Sequence, residues 1–354
     1  MKLQIQKGLL EQVLSQMQPF LEKKDISQIT SHIYLEATDQ LILKATDYET
    51  GLKTTLTDLQ IIQPGQATAN GKKLLDIVRI LKEDLVTLQT KESTLHIYQG
   101  HSKFKLPMFD PKEYPSFPST EALPQINVPS NAFVASLKKI SPAIDTNNPK
   151  FELNGALIDI KQTHINFVAT DTRRLALVRL NQPMDEEFHL IIPKKAIMEI
   201  QKLFLEDLSI FYDQTYLIIK SGGYFFFTKL INGKFPDYER ILPKELRYIL
   251  TLPKDKMIEA IKQITIVSNE ILLSFFPDKI LFKSLSEENI EAQTELEIQT
   301  PFTEEFIMAV NSRYILDFLA NMEGEIFQMG INGKELPFEL KEDNFITIVM
   351  PIMI

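Results

Sequence analysis

Three tandem copies of one α+β domain, each with two helices laid on antiparallel strands, form the fold class that the sequence predicts. The first observation is a repeat. NGKKLLDIVRILKEDLVTL from Asn70 returns as IPKKAIMEIQKLFLEDLSI from Ile192 and as VNSRYILDFLANMEGEIFQ from Val310. The second is that smaller pieces keep the same register. Ala45, Thr46 and Asp47 recur as Ala169, Thr170 and Asp171, and KLPM from Lys105 falls opposite KLIN from Lys229. The third is size: 354 residues with 44% hydrophobic content divide into thirds that can each bury a core.

Each third opens with a short strand and then a helix: QIQKGLLEQVLSQM from Gln4, NVPSNAFVASLKKI from Asn127 and LTLPKDKMIEAIKQI from Leu250. Alignment puts Leu10, Phe133 and Met257 in one column and Leu14, Leu137 and Ile261 in another. That is the i, i+4 stripe of a core-facing helix. HIYLEATDQLILKATD from His32 and NGALIDIKQTHINFVATDTRRLALVRL from Asn154 break into short alternating runs at polar turns, the pattern of antiparallel ribbons. Each third is thus expected to hold two helices and about eight strands, with helices covering one side of the sheets. Proline-rich joints at Pro111–Ser130 and Pro236–Pro253 place the boundaries at 1–122, 123–248 and 249–354.

Cysteine is absent, which excludes disulfides, thiolate metal sites and thiol nucleophiles and fits a reducing cytosol. The N-terminus lacks the unbroken apolar run of a signal peptide, and FITIVMPIMI at the end is too short to cross a bilayer, so a cytoplasmic protein is expected. A net charge of −9 argues against tight phosphate neutralisation. Distribution tempers that inference. Lys72, Lys73, Arg79 and Lys82 outnumber Asp76 in one helix, Lys194, Lys195 and Lys202 outnumber Glu199 in its counterpart, and acidic residues gather in Asp185–Glu187 and Ser286–Glu288. Solvated faces of amphipathic helices are the plainer account of such patterns.

Chemistry is sparse. Neither GxxxxGK[ST] nor GxGxxG is present, and ANGKKLL from Ala69 reads as a helix entry. His32, His96, His101, His164 and His189 show no HxxxH or HExxH spacing and read as structural, with only the turn between His96 and His101 hinting at a metal. A hydrolase built on Asp171 and Arg174 lacks a nucleophile or metal partner. Asp47 and Asp171 read instead as turn residues that accept backbone N–H bonds after a strand. No catalytic residue, metal or cofactor is expected.

The three repeats, with VATDTRRLALVRL from Val168, KLINGKFPDYERILP from Lys229 and the terminal MPIMI from Met350, resemble the bacterial sliding clamps, the β subunits of DNA polymerase III. That family carries VATDGHRLA, a GKFPDY-type segment and a C-terminal Met-Pro-hydrophobic ending in this order, and the resemblance spans the whole chain. It implies a head-to-tail homodimer of three-domain chains, a closed six-domain ring with helices inside, sliding on duplex DNA without catalysis. The residues it implies on the DNA side are Lys23, Lys24, Lys72, Lys73, Arg79, Lys138, Lys139, Asn148, Lys150, Lys194, Lys195, Lys202, Lys254 and Arg313. The dimer contact it implies sets Phe104 of the first domain against Ile266 and Val267 of the third.

The resemblance further implies a groove between the second and third domains for short peptides of the replicative polymerase, the clamp loader and repair proteins. Its residues here are Leu153, Thr170, Thr172, Arg173, Arg174, Leu175, Pro236, Arg240, Ile241, Ile348, Met350, Pro351, Ile352 and Met353. Apolar members suit peptide anchors, and the arginines suit polar side chains or carbonyls. An ordinary last strand packed on the core is the competing account of the Met and Ile ending. Two departures stand out: Thr172-Arg173 replaces the family's Gly-His, and MPIMI lacks the usual terminal basic residue. A peptide-binding scaffold that does not encircle DNA is the alternative function.

Overall fold

The computed structural model describes residues 1–25, 27–204, 207–285 and 291–353. The acidic run Ser286, Glu287, Glu288 and the terminal Ile354 lie outside them. The first repeat runs β1 (Lys2–Gln6), α1 (Lys7–Met17), β2 (His32–Ala37), β3 (Leu41–Thr46), β4 (Thr50–Leu56), β5 (Gln60–Gln63), β6 (Gly65–Asn70), α2 (Gly71–Ile80), β7 (Leu85–Lys91), β8 (Thr94–Gln99) and β9 (Ser102–Pro107). The second runs β10 (Gln125–Ile126), α3 (Ser130–Ile140), β11 (Gly155–Ile160), β12 (Ile165–Thr170), β13 (Arg174–Leu180), β14 (Phe188–Pro193), α4 (Lys194–Leu203), β15 (Ser209–Tyr212), β16 (Tyr216–Ser221) and β17 (Tyr224–Lys229). The third runs β18 (Tyr248–Pro253), α5 (Lys254–Thr265), β19 (Glu270–Phe275), β20 (Lys279–Ser284), β21 (Gln293–Glu297), β22 (Phe306–Asn311), α6 (Ser312–Asn321), β23 (Ile326–Ile331), β24 (Phe338–Glu342) and β25 (Phe345–Val349). Among the described residues each repeat has the expected strand-helix opening and two α-helices.

The helices form where the periodicity demands. Leu10 and Leu14, Phe133 and Leu137, and Met257 and Ile261 are all buried, so the i, i+4 stripes face the cores. Asn70 caps α2 by accepting the Lys73 N–H at 3.0 Å, and Asn311 caps α6 by accepting that of Arg313 at 3.0 Å. α1 packs beside α2, and α5 beside α6.

All sheets are antiparallel, and they do not respect the repeats. One compact unit, residues 1–131 and 199–230, holds a five-stranded sheet (β5-β1-β7-β8-β9) and an eight-stranded sheet (β10-β15-β16-β17-β4-β3-β2-β6). The other, residues 132–198 and 231–354, holds an eight-stranded sheet (β14-β11-β12-β13-β25-β24-β23-β18) and a four-stranded one (β21-β20-β19-β22). Both eight-stranded sheets join strands of consecutive repeats, through β4 with β17 and β13 with β25. Backbone bonds in equivalent places continue the pairing: Lys229 N–H donates to Glu49 O at 2.7 Å, and Met350 N–H to Arg173 O at 2.9 Å.

A connector crosses one face of each eight-stranded sheet and is pinned by a tyrosine. The Tyr114 hydroxyl lies 3.1 Å from each of the carbonyl oxygens of His32 and Lys44. In the second unit the Tyr238 hydroxyl donates to Asp159 Oδ2 at 2.6 Å and accepts from Asn166 Nδ2 at 2.8 Å. Burial pushes both phenols up, Tyr238 further through its bond to Asp159.

In the first unit the seam between β4 and β17 sets Gly51 opposite Phe227, and a Cβ on Gly51 would stand 2.2 Å from the Phe227 ring. Phe227 is buried and packed edge-on against Phe117, 4.9 Å between centroids, so it cannot retreat freely. Gly51→Ala is therefore expected to lower the stability of the chain by about 2 kcal/mol through overpacking, measured by urea denaturation. An unchanged midpoint would show that the ring is free to move.

Candidate functional site

The turn between β12 and β13 is built by its own short polar side chains. Thr170 Oγ1 donates to Arg174 O at 2.6 Å and accepts the Thr172 N–H at 3.1 Å, while Asp171 Oδ1 accepts the N–H groups of Arg173 and Arg174 at 3.0 and 2.9 Å. The β3–β4 turn repeats the arrangement. Thr46 Oγ1 donates to Thr50 O at 2.8 Å, and Asp47 Oδ1 accepts from Glu49 and Thr50 at 3.1 and 2.7 Å. Both aspartates are turn residues, as their sequence context predicts.

Beside the β12–β13 turn lies a cleft of about 460 Å³ lined by Thr170, Thr172, Arg174, Leu175, Arg240, Ile241, Leu242, Pro243, Asn332, Leu336, Pro337, Ile348 and Met350. One wall is the β13–β25 seam, where Leu175 and Ile348 are register partners. The second is the connector after Tyr238, held in place by the buried hydroxyl described above. The third is the β23–β24 turn, where Asn332 donates to Glu245 O at 2.9 Å and accepts the Arg247 N–H at 2.7 Å. Ile241, Leu336 and Met350 stay exposed, so the cleft presents an apolar surface to solvent that a ligand can cover.

Of the groove residues expected from sequence, Thr170, Thr172, Arg174, Leu175, Arg240, Ile241, Ile348 and Met350 line this cleft. The others lie outside its lining. Leu153 is buried in the core beneath it, with Leu157, Val168 and Leu175. Arg173 is exposed and Pro236 lines a separate hollow with Asp159, Lys161 and His189. The tail turns away after Met350: Pro351 is buried, Ile352 N–H donates to Ala309 O at 2.8 Å, and Met353 is exposed outside the lining.

Arg174 lines the cleft with a guanidinium that is also bonded within the chain. Nε donates to Asp171 Oδ2 at 3.0 Å, one terminal nitrogen to Asp317 Oδ2 of α6 at 2.6 Å, and the other to the carbonyl of Pro142. It also stacks over the Tyr314 ring at 4.5 Å. This buried cation ties the second repeat to the third and sets the cleft's edge. Leu242, Pro243, Asn332, Leu336 and Pro337 were not expected. Leu242 and Pro243 directly follow expected residues, whereas the turn containing Asn332 and Leu336 bears no motif and joins only through the fold.

The basic residues divide as well. Lys23, Lys24, Lys72, Lys73, Arg79, Lys138, Lys150, Lys195, Lys202 and Arg313 are exposed, with Lys202 paired to Glu199 at 2.8 Å. Three others are engaged inside the chain. Lys139 pairs with Glu323 at 2.9 Å, Lys194 donates to Ile144 O at 2.6 Å and Thr146 Oγ1 at 2.9 Å, and Lys254 donates to Met322 O at 2.9 Å. Asn148 shapes its own loop, donating to Asp145 and accepting from Lys150 N. Burial holds the Lys194 amine below its usual range. Phe104 is half-buried on β9, an edge strand, while Ile266 is 86% exposed and Val267 half-buried after α5.

Three family models cover nearly the whole chain: the N-terminal domain of the DNA polymerase III β subunit matches residues 1–118, the central domain 127–237 and the C-terminal domain 239–353. A β sliding clamp of Helicobacter pylori is 38% identical over 352 residues, covering 97% of this chain and 94% of the relative. The structure of a Helicobacter pylori β clamp bound to a DNA ligase peptide superposes with a TM-score of 0.95 at 38% identity, covering 100% of both chains. A Pseudomonas aeruginosa DNA polymerase III β subunit shares the fold, with a TM-score of 0.92 at 24% identity and 100% coverage of both chains.

Thr172 sits in the β12–β13 turn at φ 73°, a left-handed conformation that disfavours a β-branched residue. Thr172→Gly is expected to stabilise the chain by about 1 kcal/mol, read from the denaturation midpoint. A loss of stability would mean that the threonine side chain makes compensating contacts at the cleft.

Proposed function

This chain belongs to the family of DNA polymerase III β subunits, the β sliding clamps, and we propose that it encircles duplex DNA as a head-to-tail dimer and tethers partner proteins through the cleft. The observation that carries the reading is the cleft itself: an exposed apolar hollow built from a turn of the second repeat, the connector after it and the last strand of the third. Its size and lining suit two or three apolar side chains of an extended peptide, and Arg240 and Asn332 add polar groups to the lining. The Helicobacter pylori clamp holds a DNA ligase peptide, which supports the same class of ligand here. The replicative polymerase, the clamp loader and repair proteins are the proposed sources.

Closure needs two different surfaces that are complementary to each other. β9 and β21 are edge strands of their sheets, with Phe104 on the first, and Ile266 and Val267 directly follow α5, which packs beside the second. Unpaired strand edges recruit other strands, and a head-to-tail contact of three-domain chains closes with two copies. The domains proposed are residues 1–122, 123–248 and 249–354. Exposed Lys72, Lys73, Arg79, Lys138, Lys195 and Arg313 lie on α2, α3, α4 and α6. In a chain of net charge −9 they suit weak, sequence-independent contact with DNA. A cytoplasmic, non-catalytic processivity factor that needs no cofactor is the resulting assignment.

Retention on DNA tests the assignment. Protein loaded on a nicked circle is expected to survive a high-salt wash and to be lost when the circle is linearised. Ile266→Ala/Val267→Ala is expected to give folded monomers that are not retained. Salt-sensitive binding to linear duplex, with no need of a closed circle, would sink the reading, because direct phosphate neutralisation behaves that way.

Peptide binding tests the cleft. Removing Met350–Ile354 is expected to weaken a polymerase-derived peptide at least tenfold, about 1.4 kcal/mol, in a calorimetric titration. The same deletion is expected to cost about 1–3 kcal/mol of stability, since it removes the Ile352 backbone bond and the buried Pro351. Full peptide affinity in the folded deletion variant would move the binding site elsewhere.

A further inference from the structure

The eight-stranded sheet of the first unit carries a row of side chains that no part of the clamp function uses. Cross-strand register places Tyr34 of β2 opposite Lys44 of β3, Lys44 opposite Lys53 of β4, Lys53 opposite Phe225 of β17, and Phe225 opposite Lys220 of β16. Three lysines thus lie in one line across the strands. At the usual strand spacing the line spans about 14 Å.

The lysines are arranged, not merely present. Lys44 Nζ sits 4.8 Å from the centroid of Tyr34, Lys53 Nζ 4.8 Å from that of Phe225, and Lys220 Nζ 5.7 Å from Phe225 and 5.2 Å from Phe211. All three are half-buried. Lys220 donates to Thr120 Oγ1 of the connector at 2.5 Å. Among the described residues none of the three is in an ion pair. The same strand β2 carries Glu36, which Gln66 Nε2 holds at 2.9 Å. Burial, then Lys44 and Lys220, hold the Lys53 amine below its ordinary range.

The second unit shows what this row would be without selection for charge. By register its counterparts are Leu157, Val168, Leu177, Ile346 and Lys341. Leu157, Val168 and Leu177 there form buried core under the connector that walls the cleft. The same framework therefore packs with apolar residues in one unit and carries Lys44 and Lys53 at those positions in the other. Like charges opposite one another across strands oppose folding, and no carboxylate in an ion pair relieves them.

We propose that Lys44, Lys53 and Lys220 form a binding site for a phosphate-bearing ligand. Lysines meet a phosphate as mobile point charges, whereas planar bidentate recognition of a carboxylate favours arginine, and the row contains none. The ring faces of Tyr34 and Phe225 are already covered by ammonium groups, so they offer no platform for stacked bases. The ligand recognised is thus the phosphate group itself, in a compact polyanion of about pyrophosphate size, not a run of single-stranded nucleic acid.

Titration calorimetry of the full chain with sodium pyrophosphate, at constant ionic strength, tests the site. Expected are saturable binding to the native chain, at least a tenfold loss in Lys53→Met, and no change in Lys341→Met, the counterpart without lysine neighbours. Methionine keeps the apolar stem, so Lys53→Met is also expected to raise the thermal midpoint without anion and to lose the further rise that pyrophosphate gives the native chain. A ten-residue glutamate-rich peptide and an oligothymidylate serve as comparators, both expected to bind more weakly. No saturable pyrophosphate binding, equal binding by Lys53→Met, or tighter binding of either comparator that depends on Lys53 would overturn the proposal.

Discussion

A β-strand left at a sheet edge keeps one row of backbone N–H and C=O groups without partners, and this chain meets that demand by pairing strands across its repeats. β17 completes the sheet begun by β2, β3 and β4, and β25 completes the one begun by β11, β12 and β13. The repeat in sequence is consequently not the unit of packing. Two compact units arise from three repeats because the middle repeat contributes half of its strands to each. The cleft depends on this exchange. Without β25 beside β13, Leu175 would have no Ile348, and Met350 N–H would have no Arg173 carbonyl.

Arg174 secures the same seam with side chains. Its guanidinium has donors on several edges, and each of these partners comes from a different segment: the turn at Asp171, the segment after α3 at Pro142, and α6 at Asp317. Three separate pieces of backbone are held to one planar group. A buried cation is costly to desolvate, and hydrogen bonds to two carboxylates and a carbonyl offset that cost. The VATDTRRLALVRL string therefore contains a residue that fixes the geometry around it.

The two seams diverge in what they leave open. Between β13 and β25 the small contacts of Leu175 and Ile348 leave a hollow that the connector borders without filling. Between β4 and β17 the corresponding pair is Gly51 and Phe227, and Phe117 of the connector packs on the Phe227 ring. Duplicated frameworks thus yield an apolar cleft in one unit and a packed aromatic cluster with a lysine row in the other. The difference lies in side-chain volume and charge, since the backbone bonds are equivalent.

Periodicity and local chemistry were enough, from sequence alone, to read the repeat, the six helices, the buried stripes at Leu10, Phe133 and Met257, and the turn role of Asp47 and Asp171. These features rest on contacts within a few residues, or on burial that any packing would require. The strings VATDTRRLALVRL, GKFPDYERILP and MPIMI were enough to name the family. Tertiary structure alone decided which residues share the cleft. Asn332, Leu336 and Pro337 reach it from a turn without a motif, and Pro351, Ile352 and Met353 leave it because Ile352 bonds to Ala309. It also decided which basic residues are drawn into the chain's own contacts. Lys139, Lys194 and Lys254 sit on helices as the exposed lysines do, yet each is held by a carboxylate or carbonyl far away in sequence. A side chain's partner across the fold is set by packing, and helical spacing carries no record of it.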